Sequence, residues 1–134
     1  GHTVTGVDFS PAMIALAREK ASDQGLSIDF HVADAENLAF PSQTFDVILC
    51  RHLLWALSDP AAVLQRWQSL LSPEGQMILI EGFWSTGAGL PASSLTAMIP
   101  TAFTSITVHD LSPDSALWGK TVTDERFAIL AKRG

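Results

Sequence analysis

Two aspartates stand where extended, β-branched stretches stop. Asp8 closes "TVTGV" (Thr3 to Val7), and Asp34 lies two residues past the end of "LSIDFHV" (Leu26 to Val32). An ionised carboxylate only accepts hydrogen bonds, so Asp8 can take them from two adjacent ribose hydroxyls and Asp34 can take one from an adenine amino group. Either residue also suits an Asx turn, because short acidic side chains bond their own backbone two residues on. Two such carboxylates at neighbouring strand ends favour a nucleoside more than either does alone. Further along, the run "FDVILC" (Phe45 to Cys50) is followed by Arg51 and His52. The unperturbed pKa of imidazole lies near neutrality, so His52 can serve as a general base toward an acceptor hydroxyl or amine, or simply shape a pocket.

These residues need elements to hold them. His2 to Val7 reads as a short strand. Ser10 as N-cap and Pro11 at the first helical position start a helix that turns Met13, Ile14, Leu16, Ala17 and Ala21 inward and stops at Gly25. Leu26 to Val32 alternates apolar and polar residues, the pattern of an edge strand. Phe45 to Cys50 and Met77 to Ile80 are nearly continuous in apolar residues and read as central strands covered on both faces. Pro60 to Leu71 makes a helix between them, ended by "SPEG". A short helical stretch over Ala92 to Phe103 and two strands, "SITVHD" (Ser105 to Asp110) and "RFAILA" (Arg126 to Ala131), complete the chain. Alternating strands and helices predict an α/β fold, a partial Rossmann-like sheet that is mostly parallel with an antiparallel carboxy-terminal pair. The carboxyl ends of the parallel strands, where such sheets bind ligands, then carry Asp8, Asp34, Cys50 to Trp55 and Glu81 to Trp84.

Composition narrows the classes. The 134 residues suit one domain, and 47% hydrophobic content is enough for a core. Eight Lys and Arg against 14 Asp and Glu give a net charge of −6 with no basic cluster, which argues against a nucleic-acid partner. Four scattered histidines and a lone Cys50 make neither a metal motif nor a disulfide, and a reducing cytoplasm is the expected compartment. No apolar run approaches the roughly 20 residues of a membrane span.

The stretches "VTGVDFSPAMIALAREKA" and "HVADAENLAFPSQTFDVILCRHLLWALSDPAAVLQRWQSLLSPEGQMILIEGFW", with the closing strand pair, resemble the class I S-adenosylmethionine-dependent methyltransferases of the ubiquinone/menaquinone-biosynthesis-like small-molecule type. The resemblance covers nearly the whole chain. It implies that Asp8 accepts from the ribose, that Phe9 and Met13 are apolar neighbours of the adenine, and that Asp34 and Ala35 frame the adenine edge. It places Cys50, Arg51 and His52 near the methionine moiety and the sulfonium, and the strand over Leu26 to Val32 at a sheet edge. S-adenosylmethionine is thus the implied cofactor and a small molecule the implied methyl acceptor. In the family a glycine-rich loop lies about 20 residues before Asp8. Residues 1–134 are therefore expected to be a single, amino-terminally truncated domain. A non-catalytic binding module of the same fold is the alternative outside enzymes.

One other stretch imitates a nucleotide loop. "GAGLPA" (Gly87 to Ala92) spells G-x-G-x-x-A, with Asp110 at a later strand end, and would suit a nicotinamide-dependent oxidoreductase. Against it, the glycines come several residues after their strand, and Pro91 stands where the helix should open. Trp55 and Trp84 can wall an apolar acceptor site, whereas Trp67, on a helix with Val63, Leu64 and Leu71, reads as core. Glu81 reads as a polar site group or, more in keeping with a strand end, as a solvent residue, and Cys50 as a small buried apolar group.

Overall fold

The computed structural model describes residues 1–134, which divide into two compact units, residues 1–39 and residues 40–134.

In the first unit, β1 (Thr5–Asp8) runs parallel to β2 (Asp29–Val32), with Asp8 in register with Val32. Helix α1 (Pro11–Asp23) crosses between them. Its start is built as the sequence demands: the Ser10 hydroxyl accepts the Met13 N–H at 3.3 Å, and Pro11 occupies the first turn, where no N–H is needed. Its end is a Schellman turn, in which Gly25 takes φ +65° while the Leu26 and Gly25 amides donate to the Ala21 and Ser22 carbonyls. The Arg18 guanidinium donates to the Phe30 carbonyl at 2.8 Å, tying the helix to β2. Only part of the predicted apolar stripe is buried. Ile14 and Ala21 face inward, but Met13 and Leu16 are 53% and 50% exposed. A 13-residue helix over a two-stranded sheet has too little partner surface to cover them all.

The second unit is a four-stranded sheet in the order β3-β4-β6-β5. β3 (Phe45–Arg51) and β4 (Leu71–Phe83) are parallel; β6 (Glu125–Arg133) is antiparallel both to β4 and to β5 (Phe103–Asp110). Helix α2 (Pro60–Leu70), capped by the Asp59 carboxylate on the Ala62 N–H, buries Val63, Leu64, Trp67 and Leu70, a stripe at helical spacing. Two short helices, α3 (Ala92–Met98) and α4 (Ser115–Trp118), and a 3₁₀ turn over Leu54–Ala56 complete the unit. The core is formed by Leu54, Val63, Leu64, Met77, Leu79, Leu95, Phe127 and Ile129.

Three expectations are corrected here. β4 begins at Leu71 rather than Met77, because "SPEG" is absorbed into the strand where the β3–β4 register slips between Phe45 and Val47. The helix predicted over Ala92 to Phe103 ends at Met98, just ahead of the helix-breaking Pro100. β3 pairs on one side only and leaves Leu49 66% exposed, so it is not a strand covered on both faces. An apolar run records which side chains gain from leaving water, not what covers them.

Candidate functional site

The first unit holds a carboxylate-bearing edge. Asp8 accepts the Ser10 N–H at Oδ1 (2.8 Å), an Asx turn that starts the helix, and this leaves Oδ2 available. The Ala33 amide donates to the Asp8 carbonyl at 3.0 Å, which brings the loop after β2 alongside. In that loop Asp34 accepts the Glu36 N–H at Oδ1 and the Asn37 side-chain amide at Oδ2, both at 2.9 Å. Phe9, 78% exposed, and Met13 present apolar surface beside Asp8. The parallel pairing of β1 and β2 therefore brings Asp8 and Asp34 to one edge, and both predicted turn roles are filled.

The second unit holds an aromatic cluster at the ends of β3 and β4. Cys50 is buried, and its thiol is pushed up to about 12 by burial and then by the Glu81 charge, so it stays protonated at neutral pH. Arg51 is exposed. His52 has φ +53°, a left-handed conformation uncommon outside glycine, while its amide still donates to the Ile80 carbonyl at 2.9 Å. Its ring meets Trp84 edge to face at 5.4 Å and lies within 18° of parallel to Trp118 at 6.5 Å; Nε2 is buried and has no hydrogen-bond partner. Trp55 packs edge to face on Trp84 at 5.4 Å. Over Trp118 sits the Arg126 guanidinium, 4.8 Å from the ring centre and paired with Asp124 at 2.8 Å. Beside Trp84 a pocket of about 350 Å³ is lined by Phe83, Ser85, Gly87, Thr123, Asp124 and Glu125 as well.

His52 is held below the ordinary value of 6.5, first by burial and then by the positive charges of Arg51 and Arg126. The folded protein then binds this proton less readily than the unfolded chain. The associated stability is present above pH 6.5 and is lost as the pH falls through the lower, folded value. An NMR titration of the His52 ring is expected to give a midpoint under 6.5, and Arg51→Gln should move it upward. A wild-type midpoint at or above 6.5 would refute the assignment.

Glu81 is the main correction to the sequence reading. It is fully buried, at 0% exposure, and not a solvent residue. Its Oε1 accepts the Leu53 N–H at 2.9 Å and the Leu54 N–H at 2.8 Å, while Oε2 is buried and unpartnered. Burial raises its pKa against the pull of the Leu54, Leu53 and Trp55 amides. The sequence signal was present in strand parity, since Glu81 follows Met77 and Leu79 at a spacing of two on the buried face of β4. Trp118 and Arg126 were also missed, because nothing local in sequence brings them to β3.

The glycine pattern Gly87 to Ala92 is not a phosphate loop. Its amides are committed: Gly87 donates to the Trp84 carbonyl, Leu90 to the Gly82 carbonyl and Ala92 to the Glu125 carboxylate. Gly89, at φ +103°, lies so close to β4 that an added Cβ would overlap the Gly82 carbonyl oxygen and the Trp84 ring. Gly89→Ala is therefore expected to cost at least about 1–3 kcal/mol in urea unfolding, with the Trp84 fluorescence perturbed. A neutral substitution would show that the loop yields freely.

A family model described as a methyltransferase domain matches residues 1–79. The ubiquinone biosynthesis O-methyltransferase of Cereibacter sphaeroides is 32% identical over 135 residues, covering 100% of this chain and 51% of that protein. The enzyme of the same name from Actinobacillus pleuropneumoniae is 36% identical over 80 residues, 56% of this chain and 34% of its own. The chain thus spans about half or less of the length of these relatives. Among solved structures, the [4+2]-cyclase SpnF matches with a TM-score of 0.79 at 21% identity, covering 98% of this chain and 66% of its own. The N-methyltransferase NodS from Bradyrhizobium japonicum WM9, crystallised with S-adenosyl-L-homocysteine, matches with a TM-score of 0.73 at 18% identity, with the same coverage of 98% and 66%. A cyclase and a methyltransferase on one fold show why the site, and not the fold, must carry the functional argument.

Proposed function

Since the chain belongs to the methyltransferase-domain family, we propose that it binds S-adenosylmethionine and serves the transfer of its methyl group to a small-molecule acceptor. The observation that carries this reading is Asp8: a strand-end carboxylate with Oδ2 uncommitted, flanked by the exposed apolar side chains of Phe9 and Met13. That combination fits a ribose diol joined to an adenine ring. When bound, the cofactor supplies a methyl group on a sulfonium, delivered in line to the acceptor.

Each residue then has a task. Asp8 accepts from the ribose hydroxyls, and Phe9 and Met13 lie against the adenine. Asp34, held in its turn by the Glu36 amide and the Asn37 side chain, frames the adenine edge with Ala35. Cys50, a neutral thiol, and Arg51 are assigned to the methionine portion. His52, held below its ordinary value and so neutral at physiological pH, is assigned as the base toward an acceptor hydroxyl or amine. Trp55, Trp84 and Trp118 wall the acceptor, and the adjoining pocket of about 350 Å³ is of small-molecule size. The family match runs across the division at residue 39, which supports reading residues 1–134 as one domain in function. No helix is long and apolar enough to cross a membrane, and a single buried cysteine suits the cytoplasm.

Calorimetric titration with S-adenosylhomocysteine tests the reading. A saturable heat with one site per chain is expected. No heat from a folded sample, with an unchanged melting temperature, would overturn it.

A further inference from the structure

A carboxylic acid at a core position needs a reason. On the buried face of β4, Met77 and Leu79 are followed by Glu81, all at 0% exposure. An apolar residue of similar size there would avoid the desolvation that a carboxyl suffers. What the carboxyl does instead is local and specific. The chain leaves β3 at Arg51, turns through His52 at φ +53°, and enters the 3₁₀ turn Leu54–Ala56. The first amides of such a turn have no partner within it. Those of Leu53 and Leu54 both converge on Glu81 Oε1, at 2.9 and 2.8 Å, across a sequence separation of 28 and 27 residues.

We propose that Glu81 is a positioning residue, whose carboxyl clamps the turn after β3 and thereby holds the His52 ring and Arg51 in their working places. Arg51 is in register with Ile80, so His52 emerges beside Glu81, and its strained backbone persists only if both flanks are fixed. The Ile80 carbonyl fixes one flank through the His52 amide, and Glu81 fixes the other. Burial raises the Glu81 pKa and so favours the protonated carboxyl, whose carbonyl oxygen still accepts both amides. Glutamine should therefore replace glutamate here. What the clamp serves rests on the methyltransferase reading; the clamp itself does not.

The test compares wild type, Glu81→Gln and Glu81→Leu in the full chain. NMR gives hydrogen exchange at the Leu53 and Leu54 amides and the ring contacts between His52 and Trp84, and calorimetry gives affinity for S-adenosylhomocysteine. Glu81→Leu should stay folded by circular dichroism, yet exchange these two amides about tenfold faster or more, lose the His52–Trp84 ring contacts, and bind about tenfold more weakly. Glu81→Gln should remain within about threefold of wild type in each. If Glu81→Leu does not fold, Glu81→Asp, one methylene short of the two amides, takes its place with the same readouts. Unchanged exchange and ring contacts in the leucine or aspartate variant overturn the proposal, as does a glutamine variant that behaves like it. Should wild type bind no S-adenosylhomocysteine, the cofactor reading fails, and exchange with ring contacts still decides the clamp.

Discussion

Asp8→Ala is expected to lower the affinity for S-adenosylhomocysteine about tenfold to a hundredfold, since a hydrogen bond to a charged group contributes about 1.5–3 kcal/mol and about 1.4 kcal/mol is a factor of ten. Alanine also removes the Oδ1 acceptor of the Ser10 N–H, and with it the Asx turn that leads into α1. Asp8→Asn separates the two effects. Its amide oxygen still accepts from Ser10, so the melting temperature should hold, while the acceptor charge facing the ribose is lost and affinity falls. Calorimetry with the two variants decides the matter: an asparagine variant that binds like wild type would leave Asp8 as a helix-start residue and no more.

Phe127→Ala is expected to destabilise the protein by about 3–5 kcal/mol, read as a shift of the urea midpoint. Phe127 is 1% exposed on β6, an interior strand of the sheet, in register with Glu81 of β4 and Asp110 of β5. A fully buried ring on the face of a strand fixed by pairing to β4 and β5 leaves a space its backbone cannot move to fill, so both the transfer and the cavity cost should be felt. Directly opposed residues of an antiparallel pair share a face, so the ring also belongs to the apolar surroundings of the Glu81 carboxyl. A loss under about 1 kcal/mol would mean that the second unit is packed far more loosely than its buried residues indicate.

Local chemistry was legible from the residues themselves. Ser10-Pro11 and Gly25 start and stop α1 as expected, because capping depends on side chains within a few positions of the helix end. The spacing of Val63, Leu64 and Trp67 placed Trp67 in the core for the same reason of short range. The resemblance found along the chain agrees with the family match over residues 1–79. Parallel pairing of β1 with β2 and antiparallel pairing of β5 with β6 follow from the order of the elements. Burial was harder to read. Met13, Leu16 and Leu49 are as apolar as Ile14 and Leu79, yet they lie exposed, because burial depends on which element arrives opposite.

The sequence by itself determined where turns, caps and apolar periods fall, and which carboxylates close the strands, since these depend on neighbours in the chain. Tertiary structure alone decided the rest. The amides of Leu53 and Leu54 meet Glu81, and the His52 ring meets Trp118, only after β3 and β4 have paired and the carboxy-terminal strands have folded against them. A carboxyl at a strand end looks solvated until the strand is seen to continue to Phe83 alongside β6, with the turn after β3 folded over the carboxyl, which removes the water it would otherwise have used.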